Sequence, residues 1–106
     1  MKYRELGHTG LRVSEIGLGG EWLQRHTDTE VRAVFDACDE CGINIVDSWL
    51  PNPDVRTKIG DALRGRRDRW LIEGHIAPTW QGGQYVRTRD LKFVAPAFRD
   101  LPDRLH

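Results

Sequence analysis

The sequence predicts an α/β fold, a short N-terminal β-hairpin followed by about three strand–helix units with parallel strands. Three observations carry this. Short β-branched runs alternate with segments of helical period. The helical segments open on capping residues and close at glycine. Before them, two extended pieces flank a glycine-bounded turn. Strands that alternate with helices imply right-handed βαβ units and a parallel sheet, and three such units do not close a barrel.

In chain order, Tyr3 to Leu6 and Leu11 to Val13 enclose Gly7-His8-Thr9-Gly10 and form the hairpin, expected to cover part of the molecule. Glu15-Ile16-Gly17-Leu18-Gly19-Gly20 reads as a strand ending in glycines, which lets a ligand approach the backbone closely. It lacks the third glycine of a dinucleotide fingerprint, and no helix is expected to open directly from it. Thr27 and Glu30 form a capping box for a helix from Asp28 to Cys41, with Gly42 at its end. Ile43, Ile45 and Val46 form the next strand, ending at Asp47. Asn52 then caps a helix that has Pro53 in its first position and stops at Gly65. Trp70 to Glu73 is the third strand, followed by Gly74 and His75. Pro78 to Tyr85 reads as a long loop. Asp90 caps a last segment of helical period, which Pro96 and Pro102 are expected to break, kink or fray.

At 106 residues the chain is one domain at most. A hydrophobic share of 39% with four Trp supplies apolar surface for a core, so disorder is excluded. Sixteen basic and sixteen acidic residues cancel, which gives no general attraction to nucleic acid or to an anionic membrane. No apolar run approaches the roughly 18 residues of a membrane span, and Met-Lys-Tyr-Arg-Glu has no signal-peptide core. A soluble, cytoplasmic protein is therefore expected.

Asp47 is the pivotal residue. Ligands bind at the carboxyl ends of parallel strands, so an acid there reads as a site residue, or else as the cap of the following turn. His75 holds the same position in the next unit and shares that reading. Cys38 and Cys41 have Cys-x-x-Cys spacing, yet both fall on or near the apolar face of their helix, so they read as core rather than as redox or metal residues. No metal site is expected. Arg64-Gly65-Arg66-Arg67-Asp68-Arg69 reads as a solvated connection at a helix end, with a phosphate or nucleic-acid contact as the weaker alternative.

The motifs in this order resemble the N-terminal part of an aldo-keto reductase. The similarity lies in Lys2-Tyr3-Arg4-Glu5-Leu6-Gly7, Thr9-Gly10-Leu11-Arg12-Val13-Ser14, Glu15 to Gly19, Gly42 to Asp47, Ile59-Gly60-Asp61-Ala62-Leu63 and Gly65-Arg66-Arg67-Asp68. The resemblance implies one partial oxidoreductase domain over residues 1–106, the opening of a (β/α)8 TIM barrel with its hairpin across the bottom. It further implies reduction of a small-molecule carbonyl substrate with NADP(H), usually without a metal. Of the family's catalytic Asp, Tyr, Lys and His, Asp47 matches the first, the Tyr position holds Asn52, and the Lys position holds His75. The His belongs to a fourth strand beyond the residues matched here. Gly19 and Gly20, beside Asp47, match the place near the nicotinamide, while the main cofactor surface comes from later strands.

Leu50 to Arg56, Gly74-His75-Ile76, Gly83-Gln84-Tyr85 and Arg87 to Asp90 are similar to a divergent branch, some members of which add a ferredoxin-like 4Fe-4S domain. Because the family's main cofactor surface lies in later strands and a barrel needs about 250 residues, the resemblance implies little or no activity from these residues alone, and the catalytic set is degenerate. The alternative is a non-catalytic interaction module that forms a homo-oligomer or pairs with a complementary chain, since an open sheet exposes edges and apolar surface.

Overall fold

A computed structural model describes residues 1–106. Its centre is a three-stranded parallel sheet, β3 (Leu18–Gly19), β4 (Ile45–Ser48) and β5 (Leu71–Gly74), in that spatial order. Val46 stands opposite Leu18 and Ile72, and Asp47 opposite Gly19 and Glu73. The predicted first strand is thus shorter than Glu15 to Gly20. A 3-10 turn over Glu21–Arg25 follows it directly, where no helical element was expected.

Before the sheet, β1 (Tyr3–Glu5) and β2 (Arg12–Ser14) pair antiparallel as the expected hairpin. It is tied to the amino-terminal end of β4. Tyr3 Oη donates to the Gly42 carbonyl at 2.7 Å, and the Ser14 N–H donates to Asn44 Oδ1 at 2.8 Å. The hairpin therefore sits at the end of the sheet opposite Asp47.

Three helices cover one face: α1 (Asp28–Cys41), α2 (Pro53–Leu63) and α3 (Leu91–Leu105). The Thr27–Glu30 capping box forms, and Gly42 closes α1 at φ +76°. That left-handed conformation is cheap only for glycine. Asn52 caps α2 with Pro53 in its first turn, and Asp90 caps α3. Val31, Phe35, Val46, Ile59, Leu63 and Trp70 form the centre of the core. Phe35 and Trp70 meet edge to face at 4.9 Å. Alternation along β4 sends Val46 and Ser48 into this core and Ile45 and Asp47 to the other face, which no helix covers. The smallest dimension, 20 Å, is that of one sheet and one helix layer.

Four expectations are corrected. Residues 78 to 85 do not form a loop. They contribute to a second hairpin, β6 (Pro78–Gln81) paired with β7 (Gln84–Arg87), because Gly82 and Gly83 both take positive φ and make a two-residue turn. The final helix is unbroken. Pro96 and Pro102 lie on its exposed side, and Lys92 and Phe98, whose carbonyls lose the usual donor, are exposed as well, so water can replace the missing bonds. Arg66 is not a solvated residue of the basic cluster. Its buried guanidinium donates to Asp36 at 2.6 Å and to Asp39 at 2.8 Å, pinning the chain after α2 onto α1. Of the two cysteines only Cys38 enters the core, where burial raises its thiol pKa, while Cys41 is exposed.

Candidate active site

The carboxyl ends of β3, β4 and β5 bring together three residues, Gly19, Asp47 and His75, the outer two of which lie 56 positions apart along the chain. Gly19 is opposite Asp47 in register, and His75 follows β5 directly. His75 Nε2 lies 3.0 Å from Asp47 Oδ1 and 3.9 Å from Glu73 Oε1. The imidazole N–H is not aimed at the Asp47 oxygen, and neither enclosed atom has another hydrogen-bond partner. Both side chains are about one-third exposed, at 34% for His75 and 39% for Asp47. The pair therefore borders solvent on the uncovered face of the sheet, with Glu73 as a second carboxylate beside the ring.

The other predicted residues separate. Asn52 stands at the start of α2, where its Oδ1 accepts the Asp54 N–H at 2.9 Å. Its carboxamide serves as a cap, and an amide has no acidic proton to give. Gly20 is glycine for the sake of packing: a Cβ there would stand 2.6 Å from the Asp47 carbonyl, which the Gly20 N–H already bonds at 2.9 Å. Gly19 is different. A Cβ on it would meet nothing within 4 Å, so open space lies over its backbone next to Asp47.

Aromatic side chains frame this end of the sheet, and the sequence reading passed over them. Trp49, two residues beyond Asp47, stacks on Tyr85 of β7 with ring centroids 5.2 Å apart. Trp22, in the turn after β3, is 55% exposed with the Arg25 guanidinium over its ring at 4.4 Å. The Gly82-Gly83 pair was the available signal, since a hairpin turning there carries Tyr85 back towards Trp49.

No family profile matches the chain. A rice (Oryza sativa subsp. japonica) protein named as a probable voltage-gated potassium channel subunit beta is 25% identical over 128 aligned positions, covering 97% of this chain and 38% of that protein. Among solved structures, a Pseudomonas aeruginosa protein assigned to the aldo-keto reductases superposes with a TM-score of 0.84 at 28% identity, covering 97% of this chain and 42% of the other. The holo form of an aldo-keto reductase from Bacillus halodurans gives a TM-score of 0.83 at 28% identity, over 99% of this chain and 36% of that one. A glycerol dehydrogenase from Gluconobacter oxydans, at 21% identity and a TM-score of 0.74, shares the fold. The chain thus spans about two-fifths of the length of the proteins it matches. In sequence and in fold it resembles the N-terminal part of an aldo-keto reductase, its hairpin and parallel strands corresponding to a part of that family's barrel.

Proposed function

We propose that this chain contributes the Asp47–His75 pair to an NADPH-dependent carbonyl-reducing site that is complete only when further barrel strands stand beside β3 and β5. The observation that carries the reading is the 3.0 Å approach of His75 Nε2 to Asp47 Oδ1 at the carboxyl ends of neighbouring parallel strands.

Gly19 and Asp47 fit the edge of a bound nicotinamide, because space is open over the Gly19 backbone. NADPH, when bound, supplies the hydride. The carbonyl oxygen that receives the resulting negative charge needs a proton, and imidazole is the side-chain type that exchanges one near neutral pH. His75 donates that proton, with Asp47 as the nearest carboxylate to its ring. Asn52 takes no part in proton transfer. The free cysteines support a reducing, cytoplasmic setting for this chemistry.

The test is complementation of this chain with the remaining strands of the Bacillus halodurans reductase, followed by assay of NADPH oxidation with a panel of aldehydes. The chain by itself is expected to consume no NADPH. The complemented barrel is expected to turn over, with His75→Gln lowering kcat about 100-fold and removing the pH dependence of kcat. Unchanged turnover in His75→Gln removes the histidine from the mechanism, and NADPH consumption by the uncomplemented chain removes the need for further strands.

A second reading, a non-catalytic module that self-associates or pairs with a complementary barrel piece, is favoured by the uncovered face. Ile45 and Leu71 are only half-buried there, and Leu6 and Leu11 of the first hairpin are exposed beside them around a hollow of about 360 Å³.

A further inference from the structure

A cleft of about 330 Å³ opens between α2, α3 and the β6–β7 hairpin. None of Gly19, Asp47 and His75 lines it. Arg56 lies against this cleft with its side chain only 2% exposed. Its two hydrogen bonds both leave from Nη1, to the Ala97 carbonyl at 2.7 Å and to Asp100 Oδ2 at 3.1 Å. The enclosed Nε has no partner. Neither Nε nor Nη2 donates a hydrogen bond, so this buried guanidinium is only partly paired and its charge is available to a carboxylate or phosphate in the cleft.

Charge at the cleft is unbalanced in the same sense. Asp100 is shared, since its Oδ1 accepts from Arg104 Nε at 2.5 Å. Lys92 lines the cleft and adds a third cation. Asp100 is thus divided between two guanidiniums, while Lys92 on the same lining has no carboxylate partner, so the cleft has positive charge left over for another anion. Trp80, Phe93 and Pro96 give the cleft a flat apolar side, with the polar Thr79 and Gln81 beside them. Rings and prolines of this kind take a planar body, and the cations take its head.

We propose that this cleft binds a small organic anion with a flat apolar body, an aryl carboxylate or an aryl phosphate, whose head group pairs with Arg56 and Lys92. The site is separate from the Asp47–His75 mouth and does not depend on the reductase reading.

The test is a residue-resolved NMR titration of the full chain with benzoate, phenyl phosphate, benzyl alcohol and inorganic phosphate. Benzoate or phenyl phosphate is expected to shift the Trp80 indole N–H and the amides of Arg56 and Phe93 saturably, leaving His75 unmoved. The tighter of the two identifies the head group. Benzyl alcohol and inorganic phosphate are each expected to bind at least about tenfold more weakly, since each lacks half of the recognition. Lys92→Gln, at an exposed position, is expected to weaken binding about fivefold. Arg56→Lys, which removes the planar guanidinium and its spare donors, is expected to abolish saturation. Should that variant fail to fold, the neutral ligand and Lys92→Gln still decide. No saturable shift, equal binding of benzyl alcohol, or shifts centred on His75 overturns the proposal.

Discussion

Asp39 shows how one residue sets a local balance of charge. Burial works against its carboxylate, but hydrogen bonds from Arg66 and from Trp70 Nε1, with the positive charges of Arg69 and Arg66, outweigh it and hold the pKa below the ordinary value. A carboxyl depressed in the folded state stabilises above its unfolded pKa of about 3.9, and that contribution is lost as pH falls through the folded value. Asp39→Asn is therefore expected to cost about 2 kcal/mol at neutral pH, because Arg66 loses half of its pairing, and to flatten the fall in stability below about pH 4. Denaturant titrations across pH measure both. Ala77, between His75 and the second hairpin, has φ +93°, a conformation that L residues rarely adopt. Ala77→Gly is expected to raise stability by about 1 kcal/mol in thermal melts, and a loss would show that no strain is stored there. Asn52 was legible as a cap because a cap is a local interaction. The strain at Ala77 was not, because it arises where β5, β6 and α3 are fastened together.

At the scale of elements, capping and periodicity located all three helices, and they failed where a rule about the isolated helix met a tertiary contact. A proline within a helix costs about 3 kcal/mol in isolation. Here Val94 and Leu105 are buried and Leu101 packs on the core, while Arg104 donates to Asp100 and to Thr57 across to α2. These contacts hold α3 continuous. The residue-to-residue approach is also close: a Cβ on Gly60 of α2 would collide with the Arg104 carbonyl. Replacing Pro96 or Pro102 by Ala is expected to restore one backbone bond each and to stabilise the chain by about 1–3 kcal/mol, read from the denaturation midpoint. No gain would mean that the prolines stabilise by restricting the unfolded chain as much as they cost in the helix. The β6–β7 hairpin was missed for a related reason. Its residues bear little apolar alternation, and the pairing depends on two consecutive glycines at φ +58° and +79°.

For the whole molecule, one face of the sheet is finished and the other is not. Helices cover Val46, Ser48 and Ile72, whereas Ile45, Asp47, Leu71 and Glu73 share a face with nothing packed over it but the edge of the first hairpin. Self-association is the expected consequence in solution, visible as a weight-average mass that rises with concentration in sedimentation, and Leu71→Lys is expected to weaken it at least about tenfold. A monomer at every concentration, melting in one cooperative step, would contradict this. The order of the first hairpin, the three parallel strands and the three helices, the helix caps and the placement of Asp47 and His75 at strand ends were readable from the residues, because hydrophobic period and capping act within a few positions of one another. The 3.0 Å approach of that pair, the aromatic frame of Trp49 and Tyr85, the burial of Arg56 and Arg66 and the continuity of α3 were not readable. Each depends on contacts between segments tens of residues apart, and a linear pattern of side chains carries no measure of which segments meet or at what distance.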